Sequence, residues 1–134
     1  VARLLYWFAP IYSTAIILLS LSDNQVKIVT VSNADKIYHA GAYALMTILW
    51  YLFFYSRYLT NSGMGTFKVG VIFRSWSKVI AIAAAVLCFV IGVLVELGQE
   101  YISVNRTMDI YDALANTTGI IIAVFTLYLI GKKN

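Results

Sequence analysis

Residues 92–119 read GVLVELGQEYISVNRTMDIYDALANTTG, and charge gathers there within an otherwise apolar chain. Glu96, Gln99, Glu100, Arg106, Asp109, Asp112 and Asn116 fall inside this stretch, while the segments on either side are almost purely hydrophobic. Ionisable groups at the ends of membrane spans are costly unless paired or wetted, so a cluster of them is a candidate functional site by default. Two long apolar runs joined by a polar hinge is the pattern of consecutive membrane helices, and the remainder of the chain reads as the scaffold around that hinge.

The composition agrees. At 134 residues the chain is one domain, 1–134. Hydrophobic residues make up 61% and charged residues 12%, against about a quarter charged in soluble domains, which excludes a water-soluble globule. The single cysteine, Cys88, excludes an internal disulfide, and its place in an apolar run makes it a small packing residue. A net charge of +4 raises nucleic acid as a partner, but seven of the ten Lys and Arg residues lie at the termini or in the central connection, at the edges of apolar segments. That distribution is a topology signal, and nucleic acid is set aside.

Four spans are expected, at about 4–22, 37–56, 79–97 and 112–131. The first, Leu4 to Ser22, is uncharged and long enough to cross a hydrocarbon core of roughly 30 Å. It is longer than a signal-peptide core and lacks a small-x-small cleavage site, so it is read as a retained span. Asp23 to Lys36 forms a polar connection. The second span ends in Trp50, Tyr51, Phe53, Phe54, Tyr55 and Tyr58, the composition of an interfacial aromatic belt. The connection from Tyr58 to Lys78 holds Phe67 to Trp76 with Lys68 and Arg74 interleaved, which fits either a segment lying on the membrane surface or a plain loop.

Four spans place both termini and the central connection on one side, with Arg3, Arg57, Lys68, Arg74, Lys78, Lys132 and Lys133 and no acidic residue. Lys27, Lys36, Arg106 and all six carboxylates fall on the other side. The expectation is an all-α integral membrane bundle of four transmembrane helices, both termini cytoplasmic and the polar cluster facing outward.

Folding the spans back and forth brings three polar faces to that outer end. Asp35, Lys36, His39 and Tyr43 follow one another at helical steps on span two; Gly92, Glu96 and Gln99 do so on span three; Arg106, Asp109, Asp112, Asn116 and Gly119 continue the pattern into span four, with a helix expected from near Thr107. Lys36 and Arg106 can offset Glu96, Asp109 and Asp112, and Gln99 and Asn116 can fill remaining hydrogen bonds. Gly92 and Gly119 permit close helix approach. Asp109 and Asp112, in the first turn of span four, suit that helix's positive end.

These segments resemble a known family. D-K-I-Y-H-A-G-A-Y from Asp35 to Tyr43, G-V-L-V-E-L-G-Q from Gly92 to Gln99, and R-T-M-D-I-Y-D-A-L-A-N-T-T-G from Arg106 to Gly119 are similar, in order and spacing, to the motifs of the VanZ-like membrane proteins. The resemblance carries the family's marked positions onto Asp35, Lys36, His39, Tyr43, Glu96, Gln99, Arg106, Asp112 and Asn116. Ala40 departs from it, standing where an aromatic usually follows the histidine, as do Val104 and Asn105 where Pro-Gly commonly precedes the arginine. The family is named for a protein linked to low-level teicoplanin resistance. The resemblance therefore implies the bacterial cytoplasmic membrane and an envelope amphiphile as ligand, either a lipid-linked phosphate or an acylated glycopeptide.

Three roles fit the cluster. It can be an ion-pair network that fixes helix packing in a structural subunit, a recognition pocket in which Arg106 and Lys36 hold an anionic head, or a hydrolase site with His39 as base and Glu96 or Asp112 as its orienting partner. Ser103, Thr107 and Tyr43 offer hydroxyls but sit in no catalytic motif. One histidine with several carboxylates could hold a divalent ion, yet the spacing matches no metal motif, so neither a metal centre nor a cofactor is expected. Taken singly, His39 reads as a hydrogen-bonded packing residue, Tyr43 as a snorkelling aromatic, Asp35 as a helix cap, and Asp23 and Lys27 as solvated loop charges. Membrane lipids are the expected surroundings, and a small bundle is expected to self-associate or join a larger membrane complex.

Overall fold

The computed structural model describes residues 2–21, 34–63, 69–102 and 109–132. These form five helices and no strand among the described residues: α1 (Ala2–Leu21), α2 (Ala34–Asn61), α3 (Val69–Arg74), α4 (Lys78–Tyr101) and α5 (Ile110–Lys132). Three of them are long and apolar enough to cross a membrane: α2 from Lys36, α4 and α5. The apolar stretch of α1, Tyr6–Leu21, is shorter. The all-helical expectation holds, with three long candidate spans and one shorter apolar helix.

Residue distribution is inverted relative to a water-soluble protein. Val79, Leu94, Ile121 and Phe125 are exposed, while Ser13, Thr47, Ser56, Glu96, Gln99, Asp112 and Asn116 are buried. Water would penalise such a surface, whereas hydrocarbon favours it and drives polar side chains to the helix interfaces.

Side-chain contacts fix the direction of each helix. Near its start α1 meets the end of α2, through Tyr6 Oη and Thr60 Oγ1 at 3.0 Å. Midway, Trp50 Nε1 donates to Ser13 Oγ at 2.8 Å. Near its end α1 meets the end of α4, where Gln99 Nε2 donates to the Ser20 carbonyl at 2.9 Å. Hence α1 and α4 run one way and α2 and α5 the other. The residues that open α2 and α5 and close α4 share one end of the bundle.

Helix α2 is the central element, touching each of the other four. Its buried stripe continues the polar face: Tyr43, Thr47, Tyr51, Tyr55 and Leu59 follow one another at steps of four, all buried. Tyr43 and Met46 pack with Cys88 of α4 and Ile120 of α5 in a middle layer. Tyr51, Tyr55 and Leu59 pack with Ile72, Ala81, Ala84 and Leu127 at the far end.

That far end departs from the expected aromatic belt. Tyr51 and Tyr55 face the core, and Tyr58 is exposed. Trp76 stacks on Tyr51 with ring centroids 6.0 Å apart and meets Tyr128 edge-on at 5.5 Å. Ser77 caps α4 by accepting the Ile80 N–H, and its own N–H donates to Tyr51 Oη at 3.3 Å. The described part of the segment before α4 is not a plain loop: α3 is helical and buries Ile72 against the core. Phe67 and Lys68 lie outside the described residues.

The tightest helix contact involves Gly119. A Cβ there would overlap the Ala40 carbonyl oxygen, with Ala40 C and Cα at 2.8 and 2.9 Å, so α5 lies directly against the α2 backbone. Ala40 in place of an aromatic is compatible with this approach.

Candidate functional site

The polar end of the bundle is assembled by periodicity. Lys36, His39 and Tyr43 lie on one face of the first turns of α2; Gly92, Glu96 and Gln99 lie on the last turns of α4; Asp112, Asn116 and Gly119 lie on the first turns of α5. Asp109 stands just before α5, which starts at Ile110 and not near Thr107. It acts as the cap, not as a first-turn residue. Its Oδ1 accepts the Tyr111 N–H at 2.9 Å and its carbonyl accepts the Asp112 N–H at 3.1 Å. Its own N–H donates to Glu96 Oε2 at 3.3 Å, tying the start of α5 to the end of α4.

Lys36 joins α2 to this cap. Its Nζ donates to Asp109 Oδ2 at 2.9 Å and to Asp112 Oδ1. His39 continues the chain one turn deeper. Nδ1 donates to Asn116 Oδ1 at 3.2 Å, and Nε2 lies 3.5 Å from Asp112 Oδ2. The expected contact of Lys36 with the α5 aspartates is therefore present, as is a hydrogen bond from His39 to a neighbouring helix.

The Lys36 ammonium, followed by the Tyr111 N–H, holds the Asp109 carboxyl below the ordinary aspartate range. A depressed folded-state pKa stabilises the fold above the unfolded pKa and ceases to do so as pH falls through the folded value. Asp109→Asn is thus expected to lower stability at neutral pH, with the gap to wild type closing below about pH 4. Chemical unfolding in detergent at stepped pH measures it.

Four buried side-chain atoms at this end find no hydrogen-bond partner among the described residues: Tyr43 Oη, Glu96 Oε1, Gln99 Oε1 and Asn116 Nδ2. Each such group costs about 1–3 kcal/mol of desolvation. Tyr43 is only 1% exposed, so it is a core residue whose hydroxyl points into protein, not a snorkelling aromatic. Gly92 makes room for it: a Cβ there would meet Tyr43 Cε1 at 3.2 Å and Asn116 Nδ2 at 3.5 Å. Gln99 turns towards α1 and the Ser20 carbonyl instead of filling bonds in the charged cluster. Ser20 gave no sequence signal, being one serine within an apolar run. Glu100 is exposed. Arg106, Ser103, Thr107, the connection with Asp23 and Lys27, and the side chain of Asp35 lie outside the described residues.

Beside the cluster a shallow open furrow with a cavity volume of only about 10 Å³ runs between α4 and α5, lined by Phe89, Gly92, Val93, Ala113, Asn116, Thr117 and Ile120. It is far smaller than the roughly 300–1,000 Å³ of an enclosed ligand pocket and nearly all apolar, a surface crease against which part of a hydrocarbon chain can lie. Asn116 belongs to both places, bonded to His39 on one side and lining the furrow on the other.

No curated protein and no solved structure matches this chain. A family model described as VanZ/LLP1 matches residues 4–131, nearly the whole length. Its span takes in the three polar helix faces and the apolar helices that carry them, and the chain belongs to the VanZ-like family.

Proposed function

We propose that the protein binds an amphiphilic molecule of the bacterial envelope, with the polar head at the Lys36–His39–Asp112–Asn116 end and part of the hydrocarbon chain in the α4–α5 furrow. The observation that carries this reading is Asn116, which links the charged cluster to the apolar furrow and keeps a buried, unpartnered Nδ2 beside Gly92. Tyr43 Oη and Glu96 Oε1 nearby are likewise buried with no hydrogen-bond partner among the described residues, which a polar ligand head could supply. Of the two ligand classes, the described charges favour a head rich in hydrogen-bond donors, as in an acylated glycopeptide. Lys36 is already committed to Asp109 and Asp112, and Glu96 adds a further negative charge, so a bare phosphate is disfavoured here.

The accompanying topology is four membrane crossings in the cytoplasmic membrane, both termini inside and the site outside. Its support is the cation distribution: Arg57, Arg74, Lys78 and Lys132 all lie at the end opposite the cluster. The exposed apolar surface suits membrane lipids and leaves room for a second copy or a larger membrane complex.

The test is thermal unfolding in lipid nanodiscs with an acylated glycopeptide, its deacylated form and a polyprenyl phosphate. An acylated probe raises the midpoint by several degrees, the deacylated form does not, and Ala113→Leu, which fills the furrow, removes the shift without lowering the unliganded midpoint. No shift with any acylated probe, or an equal shift in Ala113→Leu, overturns the reading.

A further inference from the structure

The sequence offered no metal motif because the ligands that matter are adjacent only in space. His39 of α2, Glu96 of α4 and Asp112 of α5 each present one ligating atom within 4.8 Å of the others. Two donors on one first-row ion at about 2.1 Å can stand no more than about 4.2 Å apart, so a small side-chain adjustment closes the set.

The hydrogen bonds around the three residues sort their atoms in the manner of an outer shell. Asn116 Oδ1 can only accept, so the proton of a neutral His39 sits on Nδ1 and the Nε2 lone pair faces Asp112 Oδ2 at 3.5 Å. A proton or a metal cation between the two atoms would satisfy this arrangement. Asp112 has its other oxygen, Oδ1, on Lys36. Glu96 has Oε2 on the Asp109 N–H, while Oε1 is buried and has no partner among the described residues. Each ligand thus has one polar atom held by a second residue and a second ligating atom besides, the arrangement that orients metal ligands.

Charge gives an independent argument. Among the described residues of the cluster, Glu96, Asp109 and Asp112 face one ammonium, Lys36. Glu96 is 2% exposed and Asp112 4%, and buried charge calls for compensation. A divalent ion would offset the two negative charges left over among these described residues.

We infer that His39, Glu96 and Asp112 form a binding site for a divalent first-row cation of the Zn²⁺ or Mn²⁺ type, with Asn116, Lys36 and the Asp109 N–H as its outer shell. One imidazole with two carboxylates is a borderline-to-hard donor set, which suits these ions better than Cu⁺ or Ca²⁺. The site shares His39, Asp112 and Asn116 with the proposed head-binding end but goes beyond that reading, since its test needs no ligand but the ion.

The experiment is calorimetric titration of EDTA-stripped, full-length protein in phosphatidylcholine nanodiscs with ZnCl₂ and with MnCl₂, against empty nanodiscs. One ion per chain is expected for wild type with at least one of the two salts. His39→Gln and Glu96→Gln are each expected to weaken it at least about 30-fold, the larger effects of outer-shell losses alone being 10–100-fold. Co²⁺ substituted into wild type is expected to give a visible absorption band that Zn²⁺ or Mn²⁺ abolishes, a readout that needs no variant to fold. Absence of stoichiometric uptake by wild type overturns the inference. So does wild-type affinity in both variants, which would place the ion on other carboxylates.

Discussion

Gly119→Ala is expected to destabilise the protein by about 3 kcal/mol or more, the upper end for overpacking, because the added methyl meets backbone and not a movable side chain. The Ala40 carbonyl cannot rotate aside without breaking the α2 ladder, so α5 must withdraw from α2 and loosen the contacts on which His39–Asn116 and Lys36–Asp112 depend. The internal control is Gly41→Ala one residue along: a Cβ at Gly41 has nothing within 4 Å, and alanine there gains up to about 1 kcal/mol of helix propensity. Denaturant titration of both variants in detergent micelles separates the cases. Equal stabilities for the two would mean that α2 and α5 are not packed backbone to backbone at this point.

Lys36→Met is expected to be nearly as damaging at neutral pH, for an electrostatic reason. It leaves the Asp112 carboxylate, whose side chain is only 5% exposed, facing Glu96 without its ammonium. Breaking a buried pair costs about 3–5 kcal/mol; the partial exposure of Lys36 reduces this to about 2–3 kcal/mol. Much of that loss is uncompensated charge and not a lost contact, so Lys36→Met with Asp112→Asn is expected to recover at least half of it in a double-mutant cycle. Additive losses in the double variant would show that the two side chains do not act as a pair.

The polar site was readable in the sequence because helical periodicity and alternating helix direction are strong constraints in a chain this apolar. Lys36, His39, Asp112 and Asn116 meet where their spacing places them, and Gly119 provides the close approach expected of a small residue. Residues whose chemistry suits two environments were less legible. Tyr43 reads as a snorkelling aromatic and Tyr51 and Tyr55 as part of an interfacial belt, yet all three continue at steps of four the face that carries His39, and that register puts them inside. Trp76 likewise becomes a core plug, because α3 and the Ser77 cap turn it under Tyr51. Asp109 was placed inside a helix that it in fact begins, since Asp serves either position and only the backbone decides. Spacing brought His39, Glu96 and Asp112 to one end of the bundle, but their approach to within 4.8 Å depends on how closely three helices pack, which spacing does not set.

Lys36, Asp109 and Asp112 help to hold the bundle together, whereas the account holds that Glu96 is kept for binding and not for stability. Glutamine in its place retains an acceptor for the Asp109 N–H and removes a buried carboxylate whose second oxygen has no donor among the described residues. The most direct measurement is the thermal unfolding midpoint of Glu96→Gln against wild type in EDTA-treated nanodiscs without added ligand. The account predicts a midpoint equal to or above that of wild type. A fall of several degrees would make Glu96 a structural member of the bundle and contradict the claim.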